Sequence, residues 1–66
     1  MKVTFNDGDD IVYAEQNRRG RGEERDVNIY LNGSRIFLKA MPKCKTDEQL
    51  IRIAKRAVEL YGKGKK

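Results

Sequence analysis

Histidine and tryptophan are absent from this 66-residue chain, and cysteine and proline occur once each. Without histidine there is no imidazole base, so neither a Ser-His nor a Cys-His nucleophile pair can be built. A lone cysteine, Cys44, excludes an internal disulfide and a cysteine-clustered zinc site. With no secretory leader in view, it is read as a thiol of the reducing cytoplasm. Apolar runs extend only a few residues, far short of a membrane span. The expectation is a non-enzymatic protein with no cofactor, metal, membrane anchor or small-molecule substrate.

What is present is charge. Fifteen Lys and Arg stand against ten Asp and Glu, for a formal net charge of +5. Such an excess draws polyanions, although a basic surface also serves solubility alone. Its distribution favours a directed surface. Residues 1–16 set Lys2 against Asp7, Asp9, Asp10 and Glu15, whereas residues 17–66 set fourteen Lys and Arg against six Asp and Glu. A chain this short forms one domain with a thin stability margin, here 1–62, followed by a basic tail at 63–66.

Residues 2–5 and 11–16 alternate β-branched or aromatic types with polar ones and read as strands. Between them, Asn6-Asp7-Gly8-Asp9-Asp10 is a dense turn signal. In the second strand either Ile11 and Tyr13 or Val12 and Ala14 face the core, because a one-residue slip exchanges the faces. Residues 17–25 hold two glycines and no apolar side chain, and read as a mobile loop.

Asn32-Gly33 is the preferred pair for a two-residue hairpin turn, with strands at 26–31 and 34–39. Unbroken pairing from that turn sets Leu31 opposite Ser34, Ile29 opposite Ile36 and Val27 opposite Leu38 on a buried face. The other face receives Tyr30 opposite Arg35, Asn28 opposite Phe37 and Asp26 opposite Lys39. Pro42 then ends the strand. Thr46 and Gln49 form a capping-box signature, with Asp47 and Glu48 at the positive end of the helix dipole. Leu50, Ile53, Ala54, Ala57 and Tyr61 recur at helical spacing, and Gly62 is read as the C-cap. The fold class is therefore α+β: a small antiparallel sheet of two hairpins with one C-terminal amphipathic helix on one face (ββ-ββ-α). The expected core is Val3, Phe5, Val27, Ile29, Leu31, Ile36, Leu38, Leu50, Ile53, Ala54, Ala57, Val58 and Tyr61.

Candidate chemistry is sparse. Lys43 and Lys45 would lower the pKa of Cys44, but no partner base exists, and a partly exposed thiol without a role is the simpler reading. Asn6, Asp7, Asp9 and Asp10 lack the spacing of a calcium loop, and turn chemistry explains them. Gly20 and Gly22 precede a strand and do not form a phosphate-cradling loop. A sheet covered by one helix leaves its other face to solvent, and the register above puts Tyr30, Phe37, Arg35, Lys39 and Asn28 there. Rings interleaved with cations suit nucleic acid, though cross-strand pairing alone accounts for them too. Arg18, Arg19, Arg21 and Arg25 would add phosphate contacts from the loop, diluted by Glu23 and Glu24.

The run Arg35-Ile36-Phe37-Leu38-Lys39, followed by Thr46-Asp47-Glu48 and Ala54/Ala57/Tyr61, resembles two related DNA-binding modules. These are the N-terminal arm-binding domain of tyrosine recombinases and the plant ethylene-response-type domain. Both pack a three-stranded sheet on a helix and lay the sheet in the DNA major groove. The resemblance implies that Tyr30, Arg35, Phe37 and Lys39 hold groove-facing positions. The chain departs from it in having no tryptophan, a longer strand-to-helix link with Pro42, and an acidic hairpin in front.

The function expected from sequence is nucleic-acid binding, DNA ahead of RNA, through Arg18, Arg19, Arg21, Tyr30, Arg35, Phe37 and Lys39. The alternative is a protein-binding regulator or inhibitor of the kind mobile elements encode, acting on a protein partner or as a homodimer.

Overall fold

The computed structural model describes residues 1–18 and 22–63. Four strands form one antiparallel sheet in sequential order: β1 (Lys2–Asp7), β2 (Asp10–Gln16), β3 (Glu24–Leu31) and β4 (Ser34–Pro42). Helix α1 (Asp47–Ala57) follows and widens into a π-helical turn at Val58–Lys63. The α+β architecture of two hairpins and one C-terminal helix is the one the sequence predicts.

Turn chemistry places both hairpins. Gly8 takes a φ of 66° between β1 and β2, and Asn32 and Gly33 take 51° and 89° between β3 and β4. Positive angles at both central positions match the right-handed twist of the flanking strands. Asn32 also ties its turn to the neighbouring hairpin. Its Oδ1 accepts from the Ile11 N–H at 2.9 Å, and its Nδ2 donates to Asp10 Oδ1 at 2.9 Å.

Pairing of β1 with β2 and of β2 with β3 resolves the open register of residues 11–16. Val12 and Ala14 point under the helix and are fully buried, while Ile11 and Tyr13 face away from it. The core consists of Val3, Val12, Ala14, Val27, Ile29, Leu50, Ala54, Ala57 and Val58, joined by Cys44. Thr46 caps α1, its Oγ1 accepting from the Gln49 N–H at 3.3 Å. Gln49 Oε1 in turn accepts from the Lys45 N–H, one residue earlier than a capping box requires.

Four sequence expectations change. First, strand pairing extends beyond its expected limits at both ends of the second hairpin. Glu24 and Arg25 belong to β3, not to a loop, and β4 continues to Pro42. Because β4 is an edge strand, Pro42 can sit at its end without orphaning a ladder partner. Second, Gly62 is not a left-handed C-cap but lies within the π-helical turn. A Cβ there would stand 2.9 Å from Leu31 Cδ2, so a larger residue would have to push that side-chain tip aside.

Third, the β3–β4 register breaks. Leu31 pairs with Ser34 and Tyr30 with Arg35, but a bulge then sets Ile29 opposite Phe37, Asn28 opposite Leu38 and Val27 opposite Lys39. One extra residue on a strand moves everything beyond it to the other face. Ile36 and Phe37 both end on the helix side, half-buried against the core. Leu38, expected in the core, is 53% exposed on the far face. Covering Ile36 and a Phe ring together protects more apolar area than the regular register, which covers Ile36 and Leu38. Fourth, Tyr61 is 47% exposed and sits at the margin of the core.

Candidate nucleic-acid interface

A four-stranded sheet measures roughly 14 Å between its outermost strand axes, and a helix with its side chains is only about 10–12 Å wide. One helix therefore cannot cover all four strands. Here α1 lies over β1 and β2, with Lys55 Nζ 6.0 Å from the centre of the Phe5 ring, and the π-helical turn makes the closer approach to β4. The uncovered helix-side strip of β4 becomes one wall of a groove of about 440 Å³. Phe37 and Met41 line it from β4, and Arg52, Ile53, Arg56, Ala57, Leu60 and Tyr61 from the helix and the turn.

The wider turn brings Tyr61 against Phe37, with ring centroids 5.8 Å apart and planes tilted by 33°. Tilted and offset rings are the preferred aromatic arrangement. Strand alternation places Lys39 between Phe37 and Met41 on the same side of β4, exposed. Arg52 and Arg56 stand on the helix wall. Arg56 Nη1 lies 3.9 Å from Glu59 Oε1, with both side chains open to solvent, too loose and exposed a pair to quench the cation.

Among the described residues, nothing packs over the opposite face of the sheet. At its centre Tyr13 and Tyr30 pack with centroids 5.8 Å apart, and the Tyr13 hydroxyl donates to Glu15 Oε1 at 2.8 Å. That hydrogen bond, more than burial or the Glu15 charge, raises the Tyr13 pKa above its usual value. Arg35 Nη1 donates to Asn28 Oδ1 at 3.3 Å, which helps to cover Asn28. Among the described strand residues, the charged groups on this face are Lys2 and Arg35 against Glu15, Glu24 and Asp26.

The bulge splits the residues expected to act together. Tyr30 and Arg35 lie on the open face, but Phe37 and Lys39 lie on the helix side, in and beside the groove. The strand positions implied by the resemblance to sheet-in-groove DNA-binding modules are thus not on one surface. Arg18 is exposed after β2, away from both ring pairs in sequence and strand position. Arg19 and Arg21, and the tail residues 64–66, lie outside the described residues.

Cys44 departs from its expectation. It is 7% exposed, and burial raises its thiol pKa, only partly opposed by the N-terminal ammonium. Lys43 and Lys45 are exposed, where water screens their charge, and desolvation is the larger influence on the thiol. A polar clamp holds this segment. Gln16, buried at the end of β2, donates to the Met41 and Pro42 carbonyls at 3.4 and 3.1 Å and accepts from the Cys44 N–H at 2.8 Å.

Sequence reasoning missed Arg52, Arg56 and Leu60 as parts of this surface, and Gln16 as the buried clamp behind it. Arg52 and Arg56 fall on the polar side of α1, outside the apolar repeat that marks the helix in the sequence. The available signal was geometric: one helix is narrower than four strands. Among the described residues, no three His, Cys, Asp or Glu side chains converge as metal ligands, and no helix is long and apolar enough to cross a membrane.

The fold and the groove define an α+β protein with an antiparallel sheet and a single covering helix. No protein family, curated protein or solved structure matches this chain.

Proposed function

We propose that this protein binds nucleic acid through the groove between β4 and the helix, and not through the open face of the sheet. The carrying observation is the half-exposed Phe37–Tyr61 pair in an apolar groove bordered by Lys39, Arg52 and Arg56. Lys43 and Lys45 extend the positive surface past the end of β4, against Asp47 and Glu48 at the start of α1. Cations on the margin serve phosphates, and the rings offer planar apolar surface to bases or sugars. The absence of histidine and of a nucleophile–base pair fits a binding role.

The test is binding of random-sequence DNA and RNA across ionic strength. Three phosphate contacts imply an affinity that falls roughly twenty- to fortyfold between 50 and 200 mM salt. Arg52→Glu combined with Arg56→Glu is expected to abolish measurable binding. Arg35→Glu, on the other face, is expected to change it less than about twofold, a screened long-range effect. Affinity indifferent to salt would remove the proposal.

One observation favours a second reading, a homodimer or protein-binding module. Ile11 and Leu38 are each more than half exposed on the open face, whose mixed charges can complement a second copy. A concentration-dependent dimer abolished by Leu38→Lys, with no nucleic-acid binding, would put this reading first.

A further inference from the structure

We infer that the groove is built for single-stranded nucleic acid in preference to duplex, a proposal that rests on the nucleic-acid reading above. The distinction comes from what the floor offers. Phe37, Met41, Ile53, Ala57, Leu60 and Tyr61 present rings and aliphatic surface, with polar groups confined to the margins.

A duplex shows phosphates and base edges to a protein, and keeps the faces of its bases stacked inside. Its edges need hydrogen-bond donors and acceptors, which this floor does not supply. A convex double helix would meet Arg52, Arg56 and Lys39 through its phosphates and leave the floor wet. A single strand carries both complementary features in each nucleotide: an anionic phosphate and a flat apolar face free to stack. With phosphates along the cationic margin, bases turned inward meet the exposed side of Tyr61. Its ring is already braced by Phe37 at 5.8 Å, so little side-chain freedom is lost on stacking. Recognition of this kind tolerates any base, because every base has a π-face.

An acidic peptide with an apolar anchor would meet the same cations. The polynucleotide is favoured because the cations stand on both walls, Lys39 on the strand side and Arg52 and Arg56 on the helix side. A line of charge running above a planar apolar body satisfies both walls at once.

Fluorescence anisotropy with a labelled homothymidine strand, a mixed-sequence strand and the duplex of the latter tests the inference. Both single strands are expected to bind at least about tenfold more tightly than the duplex. Tyr61→Ala should weaken single-strand binding by about tenfold, the scale of one lost base–ring stack, while Tyr61→Phe retains it. Should Tyr61→Ala fail to fold, Tyr61→Trp supplies the only tryptophan in the chain. The indole emission of that variant should be quenched by single strand at concentrations where the duplex has little effect.

Duplex binding equal to or tighter than single-strand binding would overturn this inference and leave the nucleic-acid reading standing. So would indole emission, in the Tyr61→Trp variant, that bound single strand leaves unchanged. Failure of every form to bind at low salt would overturn both and transfer the groove to a protein ligand.

Discussion

The sheet presents two aromatic pairs, one on each face, in different electrostatic surroundings. On the open face Tyr13 and Tyr30 sit among Lys2, Arg35, Glu15 and Asp26, with the Tyr13 hydroxyl committed to Glu15. On the helix side Phe37 and Tyr61 sit beside Lys39, Arg52 and Arg56, with Glu59 3.9 Å from Arg56. The same ring geometry therefore does different work. The tyrosine pair closes a cross-strand contact in the middle of a face where charges of both signs alternate. The Phe37–Tyr61 pair leaves ring surface beside an excess of cations, which is what an anionic ligand with flat groups needs.

The contrast can be broken by stability measurements. Phe37→Ala is expected to be the most damaging change, costing about 2–3 kcal/mol, somewhat less than a fully buried ring because Phe37 is half-covered. Leu38→Ala, one residue on but across the sheet, should cost under about 1 kcal/mol, since little apolar area is lost from contact. Chemical denaturation of the two variants checks the order. A greater loss at Leu38 would mean that the strand pairs without the bulge.

Next in size comes the polar clamp behind the groove. Gln16→Ala strands the buried Cys44 N–H and takes a donor from the Met41 and Pro42 carbonyls, for a loss of about 1–3 kcal/mol. Its equilibrium unfolding should shift accordingly, and Cys44 should react faster with an alkylating reagent. An unchanged reaction rate would show that the clamp does not hold the 42–45 link.

The smallest expected effect is a pH dependence at Cys44. Burial raises its thiol pKa above the ordinary value of 9.0 in the folded protein. The unfolded chain then releases that proton first, so unfolding is favoured in alkaline solution. The contribution is fully present below pH 9.0 and is lost as pH rises through the raised value. Cys44→Ala should flatten the alkaline limb of the stability profile, measured by thermal melting. If the limb keeps its slope, burial of the thiol is not its source.

Most of the fold was legible from local chemistry. Asn32-Gly33, the Gly8 turn, the Thr46 cap and the period of α1 each act within a few residues of themselves. The candidate surface was much less legible, and the reason lies in residues 36–38. Ile36, Phe37 and Leu38 are apolar in succession, so alternation there carries no preferred phase, and the turn fixes only its nearest pairs. Had position 37 been charged, the sequence would have indicated a face. With three apolar residues, the choice passes to whatever can cover them. Likewise, Ile11 to Ala14 alternates ambiguously, and only pairing on both sides of β2 puts Val12 and Ala14 under the helix.

By itself the sequence determined the class of fold, the hairpin turns, the capped start of the helix and the excess of positive charge, because these follow from backbone preferences and composition. Tertiary structure decided which face each ring occupies. The bulge turns Ile36 and Phe37 toward the helix side, where the π-helical turn packs beside them with Gly62 against the Leu31 side chain. These groups lie far apart in the chain and meet only after the sheet has formed, so no local pattern encodes their contact.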